Sequence, residues 1–472
     1  MLKKIILLFA FVVSFLLSEG KPAYQIKVKI NGLSDTVCYL GNYYGDKPYI
    51  KDTTLLDSKG IGVFSGENAL PGGLYLIIFP SKKYFEIIID KEQNFYLECD
   101  TTGLTEHIII KGSNENTLFF DYLKFITKKQ KETEPLKEQL SKLKEQDDSI
   151  KIIKEELNKI DEDVKNYKLA FIKKYPESFL SVIFNTSYEL EIPEAPILPN
   201  GAKDSTFAYT YFKQHFFDHI DFSDERLLRT PGVFHNKLKQ YFSSVVIQIP
   251  DSIIKEADMV VEKARKNKEV FKYVVWYLTN WSETSNIMGF DAIFVHMVEK
   301  YYMTNEAYWV NATNLEKINS RAKILKNLLI GTRAPNLTAQ DTNNVFLTLY
   351  NVDATYTILY FWDPTCGHCQ KELPKLVSYY DSIKTKNIEV FALCADNDVV
   401  RWKKYVKENK MKWINVMDIQ NTTAYHTIYD ISSTPVMYLL DKDKKIIAKK
   451  LSVDQLQAFI EWKLKKDEGK KE

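Results

Sequence analysis

Cys366 and Cys369 are separated by Gly367 and His368, directly after the apolar run Tyr356–Trp362 and before a helical pattern that starts at Gln370. Two thiols at that spacing can close a small disulfide ring or exchange it with another disulfide. The attacking species in such exchange is a thiolate. A strand ending at Trp362 and a helix whose first turn carries the cysteines would offer Cys366 unpaired backbone N–H groups and the positive end of a helix dipole. Cys369, one turn further, is placed to resolve a mixed disulfide. Gly367 permits a tight turn, and His368 adds a polarisable group that can be cationic. Both therefore tune the redox balance, since stabilising the reduced thiolate makes the disulfide a stronger oxidant.

Two further positions belong with the dithiol. Glu372 lies nearly on the same helix side as Cys369. It either takes the proton of the resolving thiol or is a surface carboxylate of the first turn, and spacing alone leaves both open. Thr434-Pro435 precedes the strand pattern Val436–Leu440. Proline is tolerated at the start of a strand. A cis bond there would aim the Thr434 backbone at the dithiol, where a substrate segment can pair by strand addition. Pro374 is expected to kink the helix carrying the site.

With Ala334-Pro335, Phe361-Trp362, Cys366-Gly367-His368-Cys369, Glu372, Pro374 and Thr434-Pro435 in this order, residues 331–465 resemble a redoxin of the TlpA-like type in the thioredoxin superfamily. The resemblance implies Cys366 as nucleophile, Cys369 as resolving thiol, Glu372 as acid/base and Pro435 as a cis-proline. The whole chain is similar to three-part envelope redoxins of Bacteroidetes. In those a β-rich and a helical domain precede the redoxin, and the segment Asn286 to Asp291 belongs to the likeness. Pro364-Thr365 stands where many thioredoxins place a tryptophan, so that substrate contact does not transfer; Trp362 and Thr434 are the substrate-contact candidates here. A Cys-Gly-His-Cys site is expected toward the oxidising end of the range, at about −180 mV if it behaves like protein disulfide isomerase.

Competing chemistries fail on particular residues. Haem attachment needs histidine after the second cysteine, and Gln370 is there. Structural zinc needs two more ligands at motif spacing. His215 and His219, four apart with Asp218 and Asp221 nearby, lack a third ligand, so no metal is assigned. A peroxiredoxin would by resemblance carry threonine or serine where Asp363 stands. No cofactor is expected beyond the redox-active Cys366–Cys369 disulfide. The function expected is thiol–disulfide exchange with exported proteins, with the oxidase or isomerase direction favoured. The alternatives are a reductase fed by a membrane electron donor, as in cytochrome c maturation, and a partner-binding envelope protein with an accessory redoxin.

The rest of the chain must deliver and house this site. Lys3-Lys4, the apolar stretch from Ile5 to Leu17, and Ser18 and Gly20 before Lys21 read as a secretory signal peptide over residues 1–20. The protein is therefore expected in the periplasm or cell envelope, with an uncleaved N-terminal anchor as the alternative. Lysine plus arginine, 64, nearly balance aspartate plus glutamate, 62, so no electrostatic footprint for nucleic acid exists. Five cysteines, widely spaced, are not a disulfide framework. Cys394 reads as a buried hydrophobe. Cys38 and Cys99 read as two buried thiols, with a bridge between them as the alternative.

The fold class expected is multidomain α+β. An N-terminal antiparallel β-sandwich covers 21–112, where alternating runs such as Tyr24–Ile30 lie between turn residues. An all-α domain covers 113–328, beginning with an amphipathic stretch to Tyr175 that Asp147-Asp148-Ser149 would break. Packing within the chain is favoured over a coiled-coil arm, because the heptad slips near Ile150 and Ile153; oligomerisation through this domain is the alternative. Asp251 and Asn314 look like helix caps. An α/β thioredoxin fold covers 329–472.

Overall fold

The computed structural model describes residues 22–104, 106–143, 149–188 and 190–468. The expected signal-peptide segment and Asp147-Asp148 of the expected helix break lie outside them. The chain forms two compact units, residues 1–240 and 241–472, and the helical stretch is shared between them.

In the first unit, β1 (Tyr24–Asn31), β2 (Thr36–Tyr44), β3 (Lys47–Leu56), β4 (Ile61–Gly66), β5 (Gly73–Ile78), β6 (Tyr84–Ile89), β7 (Asn94–Asp100) and β8 (Ile109–Lys111) make two four-stranded sheets. Their orders are β4-β1-β7-β8 and β3-β2-β5-β6. Alternation drives the burial: in β1, Tyr24, Ile26, Val28 and Ile30 point inward and the residues between them outward. Both sheets feed one core, which includes Ile26, Leu40, Phe64, Ile77, Ile87 and Leu97. One pairing departs from the expected antiparallel pattern: β1 and β7 run parallel, because the chain passes through the other sheet before returning beside β1. Cys38 on β2 and Cys99 on β7 enter this core from opposite sheets, and both are free thiols.

Three helices close the sandwich: α1 (Asn114–Lys142), α2 (Ser149–Lys174) and α3 (Phe179–Thr186). Ser113 caps α1 by accepting from the Asn116 amide at 3.3 Å. The fully buried Asn116 side chain then pairs with both backbone groups of Ile88 at 2.8 Å, as a neighbouring strand would. Phe119 and Phe120 of α1, Phe171 of α2 and Phe179 of α3 complete the core. Among the described residues the buried apolar side chains of the two long helices are Phe119 and Phe120 on α1 and Ile153 and Phe171 on α2. Two shorter helices follow, α4 (Phe207–His215) and α5 (Phe234–Gln240).

The second unit opens with α6 (Pro250–Ala264), α7 (Lys268–Glu283), α8 (Asp291–Met297) and α9 (Ala312–Lys326). The expected caps are displaced. Pro250 itself begins α6, where its missing N–H is harmless, so Ile249 is the cap and Asp251 lies in the first turn. Asn311, not Asn314, caps α9 and accepts from the Asn314 amide at 2.9 Å.

The redoxin domain follows with β9 (Thr338–Asp341), β10 (Phe346–Thr348), β11 (Tyr356–Trp362), α10 (Gly367–Lys384), β12 (Ile388–Cys394), α11 (Val399–Glu408), β13 (Ile414–Met417), α12 (Tyr425–Ile428), β14 (Val436–Asp441), β15 (Ile446–Lys449) and α13 (Val453–Glu468). The sheet order is β10-β9-β13-β12-β11-β14-β15. Central β11 runs parallel to β12 and antiparallel to β14, the thioredoxin arrangement. All of β11 and β12 is buried, as expected of strands covered on both faces. Ile358, Tyr360 and Trp362 point to the side that carries α10, whereas Leu359 and Phe361 point to the other. The connector after α9 lies along β15: the Gly331 and Ala334 amides donate to Ile446 and Lys444 carbonyls at 2.7 and 2.9 Å, and the Ile446 amide donates to Thr332 at 2.8 Å.

Candidate active site

The motif loop between β11 and α10 is built by Asp363. Its carboxylate accepts from the Thr365 amide and hydroxyl, both at 2.6 Å. Its carbonyl accepts from the Cys366 amide at 3.2 Å. Its own amide points at the Cys369 sulfur, 3.5 Å away. Gln370 reaches back to the Pro364 carbonyl at 2.8 Å. This Asx-type turn holds Cys366 in extended backbone at the cap of α10, with no side chain of its own capping the helix. The Cys369 and His368 amides of that first turn act on the Cys366 sulfur instead.

Cys366 and Cys369 are both free thiols, one half-buried and one fully buried. The Cys366 sulfur lies 3.1 Å from the Thr434 carbonyl, and the Thr434–Pro435 peptide is cis. A carbonyl only accepts, so this contact favours the protonated thiol. Burial does the same. Hydrogen bonding from the Thr434 side chain, from the Cys369 amide and thiol and from the His368 amide outweighs both, and the Cys366 thiol lies below its ordinary range. For Cys369 burial wins: it pushes the thiol up to about 11 although the Asp363 amide works the other way. Two sulfurs one helical turn apart thus shift in opposite directions, the outer thiol downward and the inner one upward.

The remaining candidates fall into three groups. Gly367 and His368 are exposed on the first turn of α10. Glu372 is half-buried, and its carboxylate accepts from Lys375 at 3.0 Å and from the Val453 amide at 2.8 Å. Among the described residues it hydrogen-bonds neither sulfur. Trp362 must be corrected. It is completely buried and packs its ring 5.2 Å from that of Tyr405, so it is part of the core and does not meet substrate. The reason is that β11 is covered on both faces up to its last residue. Pro374 lies within α10, which runs on to Lys384.

Two residues were not anticipated. Asp363 organises the loop, and its place beside a Pro-Thr pair is the signal that would have found it. Tyr360 is fully buried on the α10 side of β11, with its hydroxyl unpaired among the described residues. Burial raises its pKa, and charge on Cys369, Glu372 and Cys366 raises it further. Counting alternate residues back from Trp362 leads to it. In the first unit, His215 pairs with Asp218 at 2.6 Å and His219 lies against the Tyr188 ring. Among the described residues no group of three or more His, Cys, Asp or Glu side chains is arranged for a metal.

Similarity to known proteins follows the same division. Residues 330–449 match the AhpC/TSA family, residues 24–119 a domain of unknown function (DUF4369), and residues 154–327 another (DUF5106). Thiol-disulfide oxidoreductase ResA of Bacillus cereus is 30% identical over 135 residues, which are 28% of this chain and 77% of the relative. Sporulation thiol-disulfide oxidoreductase A of Bacillus subtilis is 29% identical over 111 residues, 22% of this chain and 65% of the relative. Among solved structures, a domain described as a possible thiol-disulfide isomerase from Cytophaga hutchinsonii is 42% identical. It covers 30% of this chain and 97% of its own, with a TM-score of 0.29. Through a C-terminal redoxin domain with a thioredoxin fold, the chain belongs to the thiol-disulfide oxidoreductases.

Proposed function

We propose that Cys366 exchanges disulfides with exported polypeptides and that Cys369 closes or opens the ring behind it. The unequal acidity of the two thiols carries this reading. In the oxidising direction a substrate thiolate attacks the Cys366 sulfur of the closed disulfide, and Cys369 leaves with the electron pair and takes up a proton. A second substrate thiolate then attacks the substrate sulfur of the mixed disulfide and expels Cys366 as a thiolate. The lowered pKa of Cys366 makes it a good leaving group. Isomerisation uses the same steps without net electron transfer. Glu372, half-buried one turn beyond Cys369, is the carboxylate assigned to the proton of the inner thiol, and Thr434 with cis-Pro435 is the backbone edge assigned to the substrate. His368 joins the backbone donors in favouring the reduced state. The segment 1–20 supports export. The redox-active disulfide serves as the only cofactor.

Two measurements test the reading. In Cys369→Ser, mixed disulfides with cellular proteins should accumulate through Cys366; equal trapping by Cys366→Ser overturns the assignment of the nucleophile. Equilibration with glutathione fixes the direction. A potential near −180 mV is expected, and one below about −250 mV favours a reductase served by a membrane electron donor instead.

A further inference from the structure

The segment from Asn286 to Asp291 takes no part in the dithiol chemistry, yet it is docked on the redoxin domain. Met288 packs against the core cluster that contains Cys369 and borders Cys366. Asp291, at the start of α8, pairs with Lys449 on β15, and the two side chains are only 5% and 4% exposed. Lys449 also donates to the Leu328 carbonyl just beyond α9. A buried charge that loses its partner is strongly destabilising, so such a pair admits little relative movement. Lys449 stands opposite Tyr438 on β14, and the Lys450 amide donates to the Met437 carbonyl at 3.2 Å. Met437 is two residues past Pro435.

The other flank of the same loop is tied to α9. Arg321 lies 3.5 Å from the Asp430 carboxylate and also holds Glu283 at the end of α7. Asp430 is four residues before Thr434 and has a φ of +50°, a left-handed conformation that needs support from its surroundings. The Tyr429 carbonyl beside it accepts from the Tyr438 hydroxyl at 3.1 Å. Thr434 and Pro435 therefore hang between two anchors, and each anchor is held by the helices that precede the redoxin.

We propose that the helical segment 286–326 positions the Thr434–Pro435 loop against the Cys366 sulfur, with Asp291 and Arg321 as positioning residues that set the thiol's reactivity without touching it. The inference rests on Cys366 as the attacking thiol. The groups that face this sulfur are Thr434 from the loop and Cys369 and the His368 amide from α10. Displacing the loop alters the first of these and leaves the others in place.

The test uses the full chain with Asp291→Asn, Arg321→Met and Arg321→Lys. Its readouts are the equilibrium with glutathione and the alkylation rate of Cys366 near neutral pH. Asp291→Asn and Arg321→Met should each change the equilibrium constant by about threefold or more, about 14 mV for a two-electron couple. Arg321→Lys should return most of the change. Variants with unaltered circular dichroism, wild-type potential and wild-type alkylation overturn the proposal. If Asp291→Asn does not fold, the two substitutions at the solvent-exposed Arg321 decide alone. Failure of the Cys366 assignment is distinguishable, because another cysteine would then be alkylated first in the unaltered protein.

Discussion

Cys38 and Cys99 project into the sandwich core from β2 and β7, while Cys366 and Cys369 sit on the first turn of α10. Burial pushes both sandwich thiols up to about 12, and for Cys99 the nearby Cys38 adds to it. The Cys38 thiol contacts the Ile78 carbonyl at 3.4 Å, an acceptor that again favours the proton. At the helix start the outer thiol meets backbone donors and solvent, and its acidity moves the opposite way. Two cysteines facing each other are thus not enough for exchange chemistry. What sets the proposed pair apart is a helix terminus that, among the described residues, has no side-chain cap, one half-exposed sulfur and one buried sulfur whose thiol is pushed up.

The largest test of this contrast is activity. Cys366→Ser should lose on the order of a thousandfold or more in the rate of insulin disulfide exchange, while Cys38→Ser/Cys99→Ser keeps the wild-type rate. An active Cys366→Ser protein would erase the distinction. Pulse alkylation near pH 7 followed by mass spectrometry reads the same contrast thiol by thiol. A pKa of about 12 leaves a thiolate fraction of about 10⁻⁵. The lowered pKa of Cys366 gives it a larger thiolate fraction than an ordinary cysteine. Cys366 should therefore label far faster than Cys38, and its rate should fall as pH drops through its lowered pKa. Equal labelling would mean that the sandwich core opens readily.

Within the dithiol, Glu372→Gln sharpens the split between outer and inner sulfur. It should slow the step in which Cys369 gains or loses its proton by roughly a hundredfold and leave Cys366 alkylation unchanged. Stopped-flow tryptophan fluorescence during oxidation separates the two steps. The smallest effects are on stability, where the contrast reverses. Cys38→Ser places a hydroxyl in an apolar core and should cost about 1–3 kcal/mol in urea denaturation. Cys366→Ser, half exposed, should stay within about 0.5 kcal/mol.

Much of the redoxin domain was legible from spacing, because strand, dithiol, helix and Thr-Pro lie in a fixed order that local pattern exposes. Trp362 shows where that reasoning ends. Adjacency to the motif suggested contact with substrate, but a strand covered on both faces hides even its last side chain. Strand β9, four residues of mixed polarity, is too short to show a period. The parallel pairing of β1 with β7 and the Asp291–Lys449 pair, 158 residues apart, are set by tertiary packing and leave no local trace. Asn286 to Asp291 stood out by resemblance alone, with nothing in its composition to say what it touches.

The connector at residues 331–334 shields one margin of the redoxin sheet. By lying along β15 it satisfies backbone groups that would otherwise face solvent at the margin of the sheet. Unpaired strand margins recruit other chains. A redoxin fragment begun after Ala334 would carry an intact dithiol and an uncovered template for self-association. Its turnover would then depend on protein concentration, and its loss with time would be mistaken for chemical inactivation.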